Sequence, residues 1–133
     1  MANSSSVYIS VDGPRNVVAK VVLYADTADF TSTLVLDPGA LSATNPPTNQ
    51  LRIDEIQYSV EDGWYVNLFW DASTQEHITD LAGRGTFLIG TPFGGWQNDA
   101  GAGKTGKINL TTTGYTTGTM AASFTIHCIK QTA

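Results

Sequence analysis

Charged side chains are scarce in this chain of 133 residues. Asp, Glu, Lys and Arg make up 14% of it, whereas soluble domains average about 25%. Seven basic residues against twelve acidic ones leave a net charge of −5, which is too acidic for a surface that binds a phosphate backbone. Apolar runs are also short, and none approaches the roughly 20 residues that a membrane-spanning helix needs. We therefore expect no nucleic-acid partner and no membrane partner.

Cysteine is nearly absent as well. Cys128 stands alone, so the chain cannot form an internal disulfide, which agrees with folding in a reducing compartment. Residues 1–6 contain neither the basic segment nor the apolar segment of a secretory signal. We expect the protein to be made in a cytoplasm without a signal peptide.

Few side chains can support catalysis or bind a transition metal. His77 and His127 are the only histidines, and His127 adjoins Cys128 in a predicted strand, where neighbouring side chains point to opposite faces. A zinc site needs three or four such ligands, and a Cys–His nucleophile pair needs both groups on one side. We therefore predict no catalytic residues, no metal site and no cofactor, and we expect that the protein is not an enzyme.

Small polar residues and short apolar runs take the place of charge. The chain has 18 Thr, 9 Ser and 13 Gly, and its 13 aromatic residues argue against disorder. Runs of five to nine residues rich in β-branched types recur between turn-forming Gly, Pro, Asn and Asp. The pattern predicts a single all-β domain over residues 1–133, an antiparallel β-sandwich of jelly-roll type with about eight strands.

The strands differ in how many of their faces are apolar. Residues 7–11 alternate and predict a half-buried strand, whereas residues 16–24 are apolar on both parities and predict a strand that is central or covered by a partner. Residues 120–130 place five apolar side chains in succession on one face. That last strand is predicted to lie deep in the sheet.

The middle of the chain contains three further signals. The apolar parity of residues 51–60 changes across Asp54 and Glu55, which predicts a β-bulge. Residues 61–63 end in Gly and predict a hairpin that joins this strand to residues 64–70. Residues 72–81 predict a short helical turn, because Ser73 with Glu76 resembles a capping pair.

The glycine-rich loop over residues 90–107 is too long to be a simple connection. Phe93 and Trp96 within it either fold back as a lid over the core, anchor a partner, or stack on carbohydrate. Residues 101–105 resemble part of a phosphate-binding loop, but the first glycine is missing and a strand follows instead of a helix. We interpret residues 101–105 as a glycine loop without a nucleotide.

A calcium site at paired carboxylates is the alternative to the prediction of no metal site. Asp26 and Asp29 lie in a predicted loop, where oxygen ligands suit calcium, although the spacing is sparse. Solvated turn charges are the favoured interpretation, and calcium remains the alternative.

The C-terminal third carries a resemblance to a known class of proteins. Residues 101–118, GAGKTGKINLTTTGYTTG, and residues 123–130, SFTIHCIK, resemble small structural proteins of tailed bacteriophages, the accessory or decoration proteins of virion heads, especially of marine phages. The similarity covers roughly residues 101–131. It implies a β-rich fold, self-assembly and binding to a capsid lattice, and it brings no catalytic residues.

These observations predict a virion structural protein, a capsid decoration or cement protein that stabilises the particle. The expected partners are viral capsid or tail subunits and further copies of the chain, in a small homo-oligomer located in the virion. The candidate interface residues are Val18, Val22, Phe93, Trp96 and Tyr115. The alternative is a carbohydrate-binding or receptor-recognition module of a tail or fibre, in which an aromatic side chain stacks on a sugar ring.

Overall fold

Two antiparallel β-sheets form the protein, as the alternating apolar pattern predicts. The computed structural model describes residues 3–41, 49–90 and 94–131. These residues contain nine strands and a single 3₁₀ turn at Pro38–Ala40. The strands are β1 (Ser4–Asp12), β2 (Asn16–Ala25), β3 (Thr33–Leu36), β4 (Gln50–Val60), β5 (Tyr65–Trp70), β6 (Glu76–Ala82), β7 (Arg84–Leu88), β8 (Ile108–Thr113) and β9 (Met120–Gln131).

The strand order is that of a jelly roll. One sheet has the order β1-β2-β9-β4-β7 and the other has the order β3-β8-β5-β6. Without β1, the orders β2-β9-β4-β7 and β3-β8-β5-β6 are those of the two four-stranded sheets of a jelly roll, which is built from two Greek keys. This arrangement confirms the predicted sandwich. β1 adds a fifth strand at one edge.

The core lies between the sheets and is built from alternate positions of the central strands. β9 is the middle strand of the five-stranded sheet, and its side chains from Met120 to Cys128 are buried at every second position. From the other sheet, Trp64, Val66, Leu68 and Trp70 are buried on the inner face, as predicted. Alternation with a period of two is the property of a strand that is covered on one face only.

The predicted β-bulge is present in β4. The pairing register between β4 and β9 shifts between Ile53 and Glu55. Asp54 at the bulge accepts hydrogen bonds from the amides of Ile89 and Gly90 at its backbone oxygen, both at 2.9 Å. Its side chain pairs with Arg52 at 2.8 Å, and this hydrogen bond raises the pKa of Arg52.

Two local predictions in the middle of the chain are wrong. Residues 61–63 do not close a hairpin, because β4 and β5 belong to different sheets and the turn carries the chain across the sandwich. Gly63, with φ +80°, does adopt the left-handed conformation expected of it. The predicted helical turn over residues 72–81 is instead strand β6, which pairs with β5.

The β2–β3 loop is tied to the other sheet by one carboxylate. Asp29 accepts hydrogen bonds from Trp64 Nε1 at 2.9 Å, from Thr112 Oγ1 at 3.0 Å and from the amide of Tyr115 at 3.1 Å. Trp64 is fully buried, so its indole N–H has to find an acceptor inside the protein. Asp29 supplies that acceptor.

We expect Asp29→Ala to lower the free energy of unfolding by about 3 kcal/mol, because the substitution leaves the buried indole N–H without a partner. Urea denaturation monitored by tryptophan fluorescence measures this loss. Asp62→Ala removes an exposed turn carboxylate and is the matched control, with an expected change within about 0.5 kcal/mol. Equal stability of the two variants would contradict the assigned role of Asp29.

Candidate interaction face

Val18 and Val22, two of the predicted interface residues, lie on the side of the five-stranded sheet that faces away from the core. Their neighbours Val17, Ala19 and Val21 are buried between the sheets. The pairing registers place fifteen residues on this side in three rows that cross all five strands. We call this surface the outer face. Its rows are Val11, Val18, His127, Glu55 and Leu88; Tyr8, Lys20, Thr125, Gln57 and Thr86; and Ser6, Val22, Ser123, Ser59 and Arg84.

The outer face has few charges. Lys20, Glu55 and Arg84 are the charged members of the three rows, and the other twelve positions are apolar, aromatic, hydroxyl, amide or imidazole. Lys20 is exposed, and its ammonium lies 5.6 Å from the centroid of the Tyr8 ring. Most apolar members lie on the β1 and β2 half, with Leu88 on β7 as the exception, and most polar members lie on β9, β4 and β7.

The outer face is large enough to form much of a protein interface. Five strands spaced about 4.8 Å apart span about 24 Å, and three rows take up about 20 Å along the strands, so the face covers about 500 Å² in plan. Standard protein interfaces bury about 800 Å² per partner. Shallow depressions of about 410, 290 and 220 Å³ open on this face. The surface is therefore broad and gently contoured, without a deep cleft.

Trp96 lies against the body of the protein, which agrees with the lid interpretation. Its backbone forms an isolated bridge with Ile53, with N···O distances of 2.7 and 3.0 Å. Its half-buried ring lies 5.4 Å from the ring of Phe87, which in turn stacks on Tyr58 at 5.4 Å. The three rings close one side of the sandwich. Phe93, the other predicted aromatic contact in this loop, lies outside the described residues.

One side of Trp96 borders a shallow depression on the protein surface. The depression measures about 230 Å³ and is lined by Trp70 and Trp96 together with the polar His77, Gln97 and Asp99. An aromatic wall with hydrogen-bonding groups beside it is a combination that can hold a sugar ring. This is the place in the described structure where the carbohydrate alternative finds support.

Tyr115, also predicted as an interface residue, forms hydrogen bonds within the protein. Its hydroxyl lies 2.6 Å from the carbonyl oxygens of Asp26 and Gly118, and its amide donates to Asp29. The ring is half-buried and packs against the core. Tyr115 stays a predicted contact, but these bonds already account for its position in the loop between β8 and β9.

The two histidines lie on different sheets, and Cys128 is buried on the face of β9 opposite to His127. His77 on β6 pairs with Asp80 at 2.8 Å, whereas His127 on β9 contacts Asn16 Oδ1 at 2.9 Å. Burial raises the pKa of the Cys128 thiol and keeps it protonated. Burial alone would raise the pKa of Asp80, but the hydrogen bonds from His77 and Asn67 have the larger combined effect, so the pKa of Asp80 is lowered.

The carboxylates of the proposed calcium loop are occupied by protein donors. Asp26 Oδ1 accepts from Thr119 Oγ1 at 2.5 Å, and both oxygens of Asp29 accept hydrogen bonds. Across residues 3–41, 49–90 and 94–131, no group of three or more His, Cys, Asp or Glu side chains is arranged to hold a metal ion. Protein donors thus use three of the four carboxylate oxygens of Asp26 and Asp29.

The loop that resembles a phosphate-binding motif is fixed to the start of the β5–β6 connection. Asp71 Oδ2 accepts from Thr105 Oγ1 at 2.7 Å, and the amide of Ser73 donates to Ala102. The residues after this loop enter strand β8 rather than a helix. The loop therefore lacks the helix N-terminus that holds phosphates in such motifs.

Sequence reasoning did not name Tyr8, Val11 or Leu88 as surface contacts. Tyr8 and Val11 are 55% and 45% exposed, and Leu88 is 63% exposed. Residues 7–11 were predicted to be half-buried, but none of the nine residues of β1, all of which the structure describes, is buried. The outward parity of Tyr8 was visible in the sequence, but the absence of a covering sheet was not.

Comparison with known proteins assigns no family. No family model matches the chain, and no curated protein matches it significantly. Among solved structures, the chain is similar to the crystal structure of Peruvianin-I, a cysteine peptidase from Thevetia peruviana latex, with 13% sequence identity and a TM-score of 0.43. The alignment covers 96% of this chain and 63% of that chain, so this chain spans less than two thirds of the peptidase. A likeness this distant carries no argument about function.

No helix in the described parts of the chain is long and apolar enough to cross a membrane.

We expect Trp96→Ala to lower the free energy of unfolding by about 2 kcal/mol, because it removes a half-buried ring from the contact with Phe87. Chemical denaturation followed by circular dichroism measures the loss. Tyr24→Ala, which truncates an aromatic side chain that is 46% exposed, should change stability by less than about 0.5 kcal/mol. If Trp96→Ala were as harmless as Tyr24→Ala, Trp96 would not close the sandwich.

Proposed function

We propose that this chain is a virion structural protein, a capsid decoration protein that attaches to other viral subunits through its outer face and catalyses no reaction. The observation that carries the proposal is the outer face itself: a broad sheet surface in which three of fifteen positions are charged. The resemblance of residues 101–131 to small structural proteins of tailed bacteriophages indicates the kind of partner, a capsid or tail subunit.

The composition of the outer face supports protein binding. The centres of protein interfaces are depleted in charge and enriched in aromatic and apolar groups, whereas their rims are polar. Val18 and Val22 with Tyr8 form the apolar part of the face, and the threonines and serines of β9, β4 and β7 form its polar part. We expect the β1 and β2 half to anchor the partner.

A sheet face also limits the entropic cost of attachment. Its side chains stand on strands that are held by ladders on both sides, except at β1 and β7. Valine and threonine have few rotamers to lose when a partner covers them. A small rigid protein of this kind can add contacts between shell subunits and stabilise the particle without changing its own shape.

A carbohydrate-binding or receptor-recognition module is the second candidate function. The depression beside Trp96 supports it, because Gln97 and Asp99 supply hydrogen-bonding groups next to the half-buried Trp96 ring. The depression is small and open, so it would hold one sugar ring and bind weakly. The two candidates use different surfaces, and variants on each surface separate them.

We expect Val22→Lys to weaken attachment to empty heads of the encoding phage by at least about 10-fold, because a charge is placed in the apolar part of the interface. Co-sedimentation of purified protein with purified heads, and separately with purified tails, measures the binding. Tyr65→Lys introduces the same charge on the opposite sheet, where Tyr65 is 45% exposed, and should leave attachment unchanged.

Two outcomes of the co-sedimentation would contradict the proposal. One is that the unmodified protein binds neither heads nor tails. The other is that Tyr65→Lys abolishes attachment while Val22→Lys does not, which would move the binding surface to the four-stranded sheet.

If the second candidate is correct, Asp99→Ala should lower the affinity for a sugar ligand by about 10-fold, because it removes one hydrogen-bonding partner from the depression. Tryptophan fluorescence titration against a panel of glycans measures the affinity. Asp62→Ala removes a carboxylate outside the depression and should change nothing. Unchanged fluorescence across the whole panel would count against carbohydrate binding.

A further inference from the structure

Exposed apolar surface is concentrated on one edge strand. Eight large hydrophobic side chains are exposed in the described residues, and four of them belong to β1. Those four are Val7, Tyr8, Ile9 and Val11, at 37% to 55% exposure. β1 pairs with β2 on one side, and its other side is the edge of the five-stranded sheet. Tyr8 and Val11 also belong to the outer face, whereas Val7, Ile9 and the backbone edge of β1 do not.

Two of these side chains point toward the core side of the sheet but are only partly covered. Val7 pairs with Val21 and Ile9 pairs with Ala19, so each pair shares one face. Val21 and Ala19 are buried, whereas Val7 and Ile9 are 37% and 46% exposed. The four-stranded sheet therefore covers β2 but does not extend over β1.

β1 also lacks most of the devices that protect a free edge. Monomeric sheets guard their edges with lysine, proline, short strands or bulges. β1 is nine residues long, and residues 4–11 include no charge and no proline. Its register shift falls between Ile9 and Val11, so Ser4 to Ile9 form a regular ladder with β2, and none of the described strands pairs with the other side of β1.

We propose that β1 pairs antiparallel with β1 of a second copy about a two-fold axis, which joins the two five-stranded sheets into one sheet of ten strands. The absence of charge in β1 favours a second copy of the chain as its partner. A two-fold axis places a strand against itself, so a charge near the centre of β1 would lie close to its own copy, and residues 4–11 carry none.

The symmetry also brings the uncovered side chains together. An axis perpendicular to the sheet puts the core sides of both copies on the same side, so Val7 and Ile9 of one copy lie beside those of the other. The outer faces of the two copies become one continuous surface in the same step. The inference does not rest on the virion assignment, because β1 would pair in the free protein.

Sedimentation velocity over a concentration series up to about 100 μM tests the inference, since interfaces at the small end of the size range are weak. We expect a species of twice 14.2 kDa. Ile9→Lys should weaken the dimer by at least about 100-fold, because it places two like charges beside the axis. Leu88→Lys adds the same charge to the opposite edge strand and should leave the dimer intact. Both positions are exposed, so unchanged circular dichroism and melting temperature should show that the variants fold.

Hydrogen exchange of peptides that cover residues 4–12 gives an independent readout. Protection of the β1 amides should rise with protein concentration in the unmodified chain and in Leu88→Lys, but not in Ile9→Lys. A monomer throughout the concentration series would overturn the proposal. So would a dimer that Ile9→Lys leaves unchanged, or a β1 edge that is protected only when heads are added.

Discussion

The double ladder of β9 is the interaction on which the rest of the structure depends. β9 pairs with β2 along one side and with β4 along the other, while alternate side chains from Met120 to Cys128 fill the core. A slip of one residue would turn all of those side chains to the other face, so burial fixes the register of the whole sheet. The rows of the outer face follow from that register, because His127, Thr125 and Ser123 set which residues of β2 and β4 stand beside them.

Sequence patterns predicted the fold wherever a strand carries a strong period of two. β9 carries that period from Met120 to Cys128, and the parity change at Asp54 located the bulge. Topology was harder, because a turn such as residues 61–63 has the same chemistry whether the next strand joins the same sheet or the opposite one. β6 escaped recognition because Leu81 is its single buried residue, so its alternation is weak.

The candidate site was partly predictable for a related reason. Val18 and Val22 stood out because they are apolar on the parity that faces away from the core. Trp96 could not be assigned from its neighbours, since an aromatic residue in a glycine-rich loop packs inward or outward according to contacts made by distant strands. The exposure of β1 depends on how far the four-stranded sheet extends, and no local pattern in residues 4–12 encodes that distance.

The position of β9 in the chain has a consequence for the order of folding. β9 follows all other described strands, yet it fills the gap between β2 and β4, and its pairs with β2 include Asn16 with Ile129. Contacts this distant in sequence make folding slow, and during synthesis the edges of β2 and β4 that pair with β9 stay open until β9 emerges. On β4 the outward side chains Glu55, Gln57 and Ser59 are polar, which makes that waiting strand less prone to aggregate. On β2 the outward valines Val18 and Val22 leave Lys20 as the single charged residue of the strand, so the open edge of β2 depends on that one lysine for its solubility.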